Sequence, residues 1–290
     1  MDAERSCVLS CSTVAFDGYA LDTAFLKIAE LGFRWIELGF IDGYVSSFSE
    51  ELFGKESARI VRALQASTGL RLSAVSAHID LGYPESLEKI ERRIGFCAEL
   101  GCPRLITNGA ASTREGEFYR NMERVVPAAE KAGVTICLEN PGNGERNVVN
   151  DGASSARVAE RIASSFVRIN YDGGNTFSHF QTRYPAERDF EPALPWMEQL
   201  HVKDVALRSD GEYEYPALGD GELDFSLMAA TLGESSAVSV LALEIPLRLR
   251  RRSDASPYRI TQPLSLDRIV SALSRSRKLV QTEFRRVLAE

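Results

Sequence analysis

Apolar and polar residues alternate with a period of two in a series of short runs, and stretches with helical spacing stand between them. The runs Val8 to Thr13, Arg34 to Leu38, Leu72 to Ile79, Arg104 to Asn108, Thr135 to Asn140, Val167 to Asp172, Gln199 to Asp204 and Ser239 to Glu244 predict eight strands. In the seventh run the alternation sends Gln199, His201 and Lys203 to one face, and Leu200 and Val202 to the other. Between the strands, Leu21, Phe25, Ile28 and Ala29 make a helical stripe over Leu21 to Leu31. Further helices are predicted over 49–68, 86–100 and 115–132, each halting at a glycine (Gly69, Gly101, Gly133), and a last one over 264–288.

The predicted strand tips are Thr13, Glu37, His78, Asn108, Glu139, Asp172, His201 and Glu244, spaced 24 to 43 residues apart. Eight such units fill the ~250 residues typical of a (β/α)8 barrel. A doubly wound open sheet would also alternate strands and helices, but it does not usually put polar residues at nearly every tip, and no GxGxxG follows the first strand. No linker or low-complexity run divides the chain. The expected architecture is α/β, a single-domain (β/α)8 TIM barrel over 1–290, with an irregular arginine-rich loop and a C-terminal helix after residue 246. The arginines of that loop (Arg248, Arg250, Arg251, Arg252) are expected in solvent or at a subunit contact, with binding of a substrate carboxylate or phosphate as a second reading.

Composition narrows the setting. With 44% hydrophobic and 26% charged residues, the chain can bury an ample core. A net charge of -7 gives nucleic acid or an anionic membrane no general attraction. The apolar runs are strand-sized, short of the roughly 20 residues that span a bilayer. The mixed-charge start, Met1 to Arg5, does not resemble a secretory leader, and five cysteines without a CxxC pair read as reduced thiols. A cytoplasmic protein with neither nucleic-acid nor membrane partners is expected.

The chemistry lies at the tips, because the C-terminal ends of barrel strands carry the active site. Glu139, Asp172, His201 and Glu244 come from the fifth to eighth strands in succession. Three carboxylates aimed at one volume repel unless protons or a cation intervene. One imidazole with three carboxylates suits a divalent ion of intermediate hardness, whereas a structural zinc site would call for thiolates. His78, Glu37 and Asn108 are tip residues that could meet a substrate, and His179, read as a loop residue, is a further candidate. Lys203 is placed to pair with a ligand carboxylate or to contact substrate, and Asp204 to hydrogen-bond a loop.

Five segments carry a resemblance. Leu138-Glu139-Asn140, Asp172-Gly173-Gly174-Asn175, His201-Val202-Lys203-Asp204, the run from Leu218 to Phe225 and the Glu244 strand, in this order, resemble the xylose-isomerase-like barrel superfamily, in particular its sugar phosphate isomerase/epimerase group. The resemblance implies one divalent metal ion held by Glu139, Asp172, His201 and Glu244. Mn²⁺ is foremost, with Co²⁺, Mg²⁺ or Zn²⁺ also compatible. It implies that Glu139 and Glu244 are the catalytic pair on opposite faces of a small carbohydrate substrate, and that His78, Asn108, Asn175, Glu37 and Lys203 surround that substrate. The implied reaction is proton abstraction next to a carbonyl of a sugar, polyol ketone or hydroxy-keto acid, giving an isomerase or epimerase. The alternatives are a lyase (an inosose- or dehydroshikimate-type dehydratase, or a keto-glycoside-cleaving enzyme) and a non-catalytic barrel acting as a partner subunit. Asn175 stands where many epimerase-like members have histidine, and Leu207 where they have arginine, so the resemblance implies the metal site rather than a particular epimerase. DNA-repair endonucleases of the superfamily use a histidine-rich, multi-metal site, for which three histidines in an acidic chain are a poor match. A homo-oligomer is the expected assembly.

Overall fold

The alternating runs close into a ring. The computed structural model describes residues 7–43, 48–180, 184–233 and 237–288. Its strands in chain order are β1 Val8–Ser12, β2 Trp35–Gly39, β3 Arg71–Ser76, β4 Arg104–Asn108, β5 Thr135–Glu139, β6 Val167–Asp172, β7 Met197–Val202, β8 Ala206–Leu207, β9 Tyr213–Glu214, β10 Val240–Leu243, β11 Leu249–Arg251 and β12 Pro257–Arg259. The first seven and β10 pair in parallel around a closed barrel, with β10 next to β1 and β7. The expected barrel is the observed one.

Alternation decides what faces where. Leu200 and Val202 join Ile136, Leu138, Ile169, Tyr171, Leu241 and Leu243 in the continuous core between barrel and helices. Inside the ring Ala74, Ile106 and Cys137 form a small apolar cluster. Much of the remaining interior is polar. Ser10 and Ser73 share a hydrogen bond of 2.7 Å across β1 and β3, and Glu37, Asn170 and Gln199 are fully buried.

The helices are α1 Leu21–Glu30, α2 Lys55–Thr68, α3 Ser86–Glu99, α4 Glu115–Ala132, α5 Gly152–Ile162, α6 Gly173–Phe180, α7 Ala186–Asp189, α8 Phe225–Leu232 and α9 Leu266–Glu283. The helix expected over 49–68 is split: a 3₁₀ turn, Glu50–Phe53, ends at Gly54, whose extended backbone resets the chain before α2. Gly69 and Gly133 close α2 and α4 in the left-handed conformation that glycine adopts freely. The last helix is shorter at both ends than expected.

The arginine segment is a correction. Where a solvated loop was expected, Leu249–Arg251 forms β11 in a four-stranded antiparallel sheet of order β12-β11-β9-β8, and Arg252 beyond it is exposed. Arg248 and Arg251 are buried, and Arg248 bonds the carbonyls of Ile260 and Thr261 and pairs with Asp17 at 3.2 Å. Residues 1–6, including the mixed-charge start, lie outside the described residues. Among the described residues no helix is long and apolar enough to cross a membrane.

Candidate metal centre

Glu139 and Asp172 are the last residues of β5 and β6, His201 lies in β7, and Glu244 directly follows β10. Strand register places Asp172 beside His201, and His201 beside Ala242, two residues before Glu244. One ligand atom from each of the four residues falls within 4.8 Å of every other.

Each side chain is held by its neighbours. Asp172 sits at the start of α6, where its Oδ1 accepts the Asn175 N–H at 2.9 Å, leaving Oδ2 to face the cluster. Asn140 ties the β5 tip to the β6 tip: its Oδ1 accepts from the Asp172 N–H and its Nδ2 donates to the Asp172 carbonyl, both at 2.9 Å. Glu139 accepts from Asn170 Nδ2 at 2.8 Å and from Asn175 Nδ2 at 3.0 Å. Lys203 Nζ donates to Glu244 Oε2 at 2.7 Å and Asn175 Oδ1 at 3.1 Å. Its stem runs past Gly174, where a Cβ would come within 3.1 Å of the Lys203 carbonyl oxygen and 3.2 Å of its Cγ. His201 turns Nε2 to Glu37 Oε2 at 3.0 Å and Nδ1 to the cluster.

The donor set fits a cation. His201 Nδ1 is buried without a hydrogen bond, and lies 3.3, 3.5 and 3.6 Å from oxygens of Glu139, Asp172 and Glu244. Asp172 Oδ2 also lacks a hydrogen bond: Lys203 Nζ is 2.5 Å away, an ion pair that lies off the hydrogen-bonding line. Glu37, Glu139, Asp172 and Glu244 bring four buried carboxylates, against which three groups can carry positive charge: buried His201 and Lys203, and His78 at 3.4 Å from Glu139. A divalent ion would offset that deficit.

The protonation directions follow from the same crowding. Burial pulls the His201 imidazole down, but Glu37, Glu139 and Glu244 together outweigh it and hold it well above its ordinary value. Burial likewise opposes the Lys203 ammonium, and Asp172 and Glu244 hold it well above the usual lysine range. The two glutamates move apart. Burial pushes Glu139 up, yet His201 and His78 bring it well below the usual carboxylate range, whereas burial of Glu244 is only partly offset by Lys203 and His201 and leaves it raised.

A cavity of about 320 Å³ opens above the cluster, bordered by Glu139, Glu244, His78, Asn108, Asn175 and Lys203. Asp172 and His201 lie beneath it, both fully buried. His78 stands two residues beyond β3 rather than at its tip, with Nε2 3.0 Å from Ser76 Oγ and 3.4 Å from Glu139 Oε2. Glu37, expected at the substrate, does not reach the cavity. It lies under His201 and also accepts from Gln199 Nε2 at 2.6 Å. Asn175 and Lys203 border the cavity while spending their hydrogen bonds on one another and on the ligand glutamates. His179 is on α6 rather than a loop, packs against Phe180 and does not border the cavity.

Arg251 also lines the cavity, where the sequence pointed to a solvated loop or subunit contact first. Its Nε donates to Tyr215 Oη at 2.7 Å and its Nη1 to the Ala255 carbonyl at 3.2 Å. Strands of two or three residues carry too little periodicity to reveal this from sequence. A larger cavity of about 440 Å³ lies against α9, and two of its arginines are engaged, Arg250 with Glu214 at 3.0 Å and Arg275 with Asp220 at 2.7 Å.

Comparison with known proteins follows the same lines. Residues 25–260 match the model of the xylose isomerase-like TIM barrel family. Among curated protein sequences none matches. Solved structures similar to the chain include an L-ribulose 3-epimerase (16% identity, TM-score 0.71, covering 96% of this chain and 95% of that one). A D-psicose 3-epimerase from Clostridium cellulolyticum H10, solved with D-tagatose, is 13% identical with a TM-score of 0.73, over 96% of this chain and 99% of that one. A probable 3-DHS dehydratase from Bacillus anthracis is 14% identical with a TM-score of 0.67, over 94% and 98%. At these identities the likeness is one of fold. With the family match running through seven of the eight barrel strands, the chain belongs to the xylose isomerase-like TIM barrel family.

Proposed function

We propose that this protein is a divalent-metal-dependent isomerase or epimerase that removes a proton next to the carbonyl of a small sugar, polyol ketone or hydroxy-keto acid. The observation that carries the reading is the convergence of Glu139, Asp172, His201 and Glu244 within 4.8 Å beneath a cavity of about 320 Å³. That volume is at the small end of ligand sites and suits a compact polar molecule. The epimerases among the similar structures support the choice of chemistry.

The four residues would hold the ion, Mn²⁺ first among Mn²⁺, Co²⁺, Mg²⁺ and Zn²⁺. When bound, it supplies Lewis acidity worth several kcal/mol toward a carbonyl oxygen, acidifying the neighbouring C–H. Glu139 and Glu244 border the cavity and divide the proton traffic: one carboxylate accepts the proton from carbon, and the other returns one. Asn170 and Asn175 keep the Glu139 carboxylate from swinging away, and Lys203 does the same for Glu244. His78 and Asn108 line the cavity wall as hydrogen-bonding partners for substrate hydroxyls.

A lyase reading has its own support. Asn175 replaces the histidine of many epimerases, and the similar dehydratase has nearly the same TM-score as the epimerases. The first step is common to both, and only the fate of the enolate differs.

The test is solvent-deuterium incorporation, by mass spectrometry, into ketoses, inososes and hydroxy-keto acids incubated with Mn²⁺-loaded protein. Deuterium in recovered substrate or an isomer of equal mass supports the isomerase or epimerase. A product lighter by water assigns the lyase. No exchange in any compound, with metal bound, would overturn both and return the barrel to a partner-subunit role.

A further inference from the structure

We infer that Glu37 is a positioning residue for the metal centre: its carboxylate takes the Nε2 hydrogen of His201 and so turns the Nδ1 lone pair toward Glu139, Asp172 and Glu244. The inference rests on the metal-centre reading above.

An ionised carboxylate only accepts hydrogen bonds. Glu37 Oε2 stands 3.0 Å from His201 Nε2 and 2.6 Å from Gln199 Nε2, so both partners must donate to it. The crowded carboxylates favour an imidazolium in the empty site, but histidine must be neutral to bind a metal, and the single N–H it then keeps, spent on Glu37, leaves the Nδ1 lone pair for the ion. That nitrogen faces three carboxylate oxygens at 3.3 to 3.6 Å and makes no hydrogen bond. The opposite tautomer would set the Nε2 lone pair against the Glu37 carboxylate. Neither side chain is exposed, so solvent cannot take over the contact. A metal-bound histidine ordinarily has such a partner on its far nitrogen, which fixes the ring and raises its basicity.

The fold makes room for this contact. Glu37 is on β2 and His201 on β7, with β1 and β10 between them around the barrel. In the register, Ser12 of β1 lies beside Glu37 and Ala242 of β10 beside His201. Small side chains on the intervening strands leave the interior open for a reach between residues 164 apart in sequence. The other Glu37 oxygen, Oε1, is buried without a hydrogen bond. A buried carboxylate kept half-satisfied is costly for stability, which fits a group retained for its effect on the site.

The experiment compares wild type with Glu37→Gln and Glu37→Ala, using Zn²⁺ as a diamagnetic probe. Affinity is read by chelator competition, and His201 by NMR of protein carrying ¹⁵N-histidine. Three histidines make the spectrum assignable with a His201→Ala sample. In loaded wild type, His201 is expected to carry its proton on Nε2 and bind through Nδ1. Both variants are expected to lose about tenfold to a hundredfold in Zn²⁺ affinity, Glu37→Ala more than Glu37→Gln, whose amide oxygen can still accept. Should Glu37→Ala fail to fold, the near-isosteric Glu37→Gln and the wild-type spectrum decide. Wild-type affinity in folded variants, or a His201 bound through Nε2, overturns the inference while leaving the ligand quartet standing. Wild type that binds no Zn²⁺ overturns the quartet and this inference together.

Discussion

At the scale of single residues, the site separates side chains that would touch the metal from those that hold them. His201 and Asp172 lie beneath the cavity, so their removal should abolish metal binding without altering the cavity wall. In His201→Ala and Asp172→Ala, metal content after dialysis is expected to fall below a tenth of wild type; full occupancy in both would remove them from the ligand set. In the proposed reaction Glu139 has a double duty. Glu139→Gln keeps an oxygen for the ion and an acceptor for Asn170, but cannot take a proton. Turnover is therefore expected to fall about 10²–10⁴-fold with KM within a few-fold, measured on samples of equal metal content. Near-normal turnover would take the acid/base role from Glu139.

At the scale of elements, the motif segments turn out to be joints between strand tips. Asp204, just past β7, accepts from the backbone N–H groups of Val205, Gly219, Gly221 and Leu223 at 2.9, 2.9, 2.9 and 3.2 Å. The turn from Leu218 to Leu223 is thus folded around one carboxylate. Gly221 must be glycine, because a Cβ there would lie 2.3 Å from Asp204 Oδ1. Asp204→Ala strands these donors at about 1–3 kcal/mol for each that water cannot reach, so a loss of about 3 kcal/mol in urea unfolding is expected. Asp204→Asn should recover part of it, and a loss within ~0.5 kcal/mol for Asp204→Ala would mean that other contacts hold the turn. Period-two alternation made the barrel strands legible, because inward polar and outward apolar residues follow from strand geometry alone. The four clustered side chains, Glu139, Asp172, His201 and Glu244, were legible for the same reason, as polar tips of neighbouring strands. Glu37 was assigned to substrate because a tip position says nothing about depth, and its partners Gln199 and His201 come from across the barrel. The sheet of β8, β9, β11 and β12 was not legible, since strands so short are fixed by tertiary pairing.

For the molecule as a whole, the question is how a barrel tolerates so much buried charge at its mouth. Barrels similar to this one include an epimerase and a probable dehydratase, so the scaffold does not choose the reaction; the site does. What the scaffold must do is remain folded with and without the ion. The apolar layer between barrel and helices is continuous and independent of the tips, and the barrel has no open edge. At the mouth, Lys203 bridges Asp172 and Glu244 at 2.5 and 2.7 Å and acts as an internal counter-ion. Metal should therefore add to stability rather than create the fold. An ion at a hundredfold excess over its Kd contributes about 2.7 kcal/mol, which for a chain of this size is roughly 4–5 °C in Tm. Chelation is expected to lower Tm by that amount with the far-UV circular dichroism at 25 °C unchanged. Lys203→Met, which removes the counter-ion, should widen the gap between loaded and metal-free protein. Global unfolding on chelation would show that the apolar layer cannot carry the fold alone, and a Tm indifferent to added metal would argue that the quartet holds no ion.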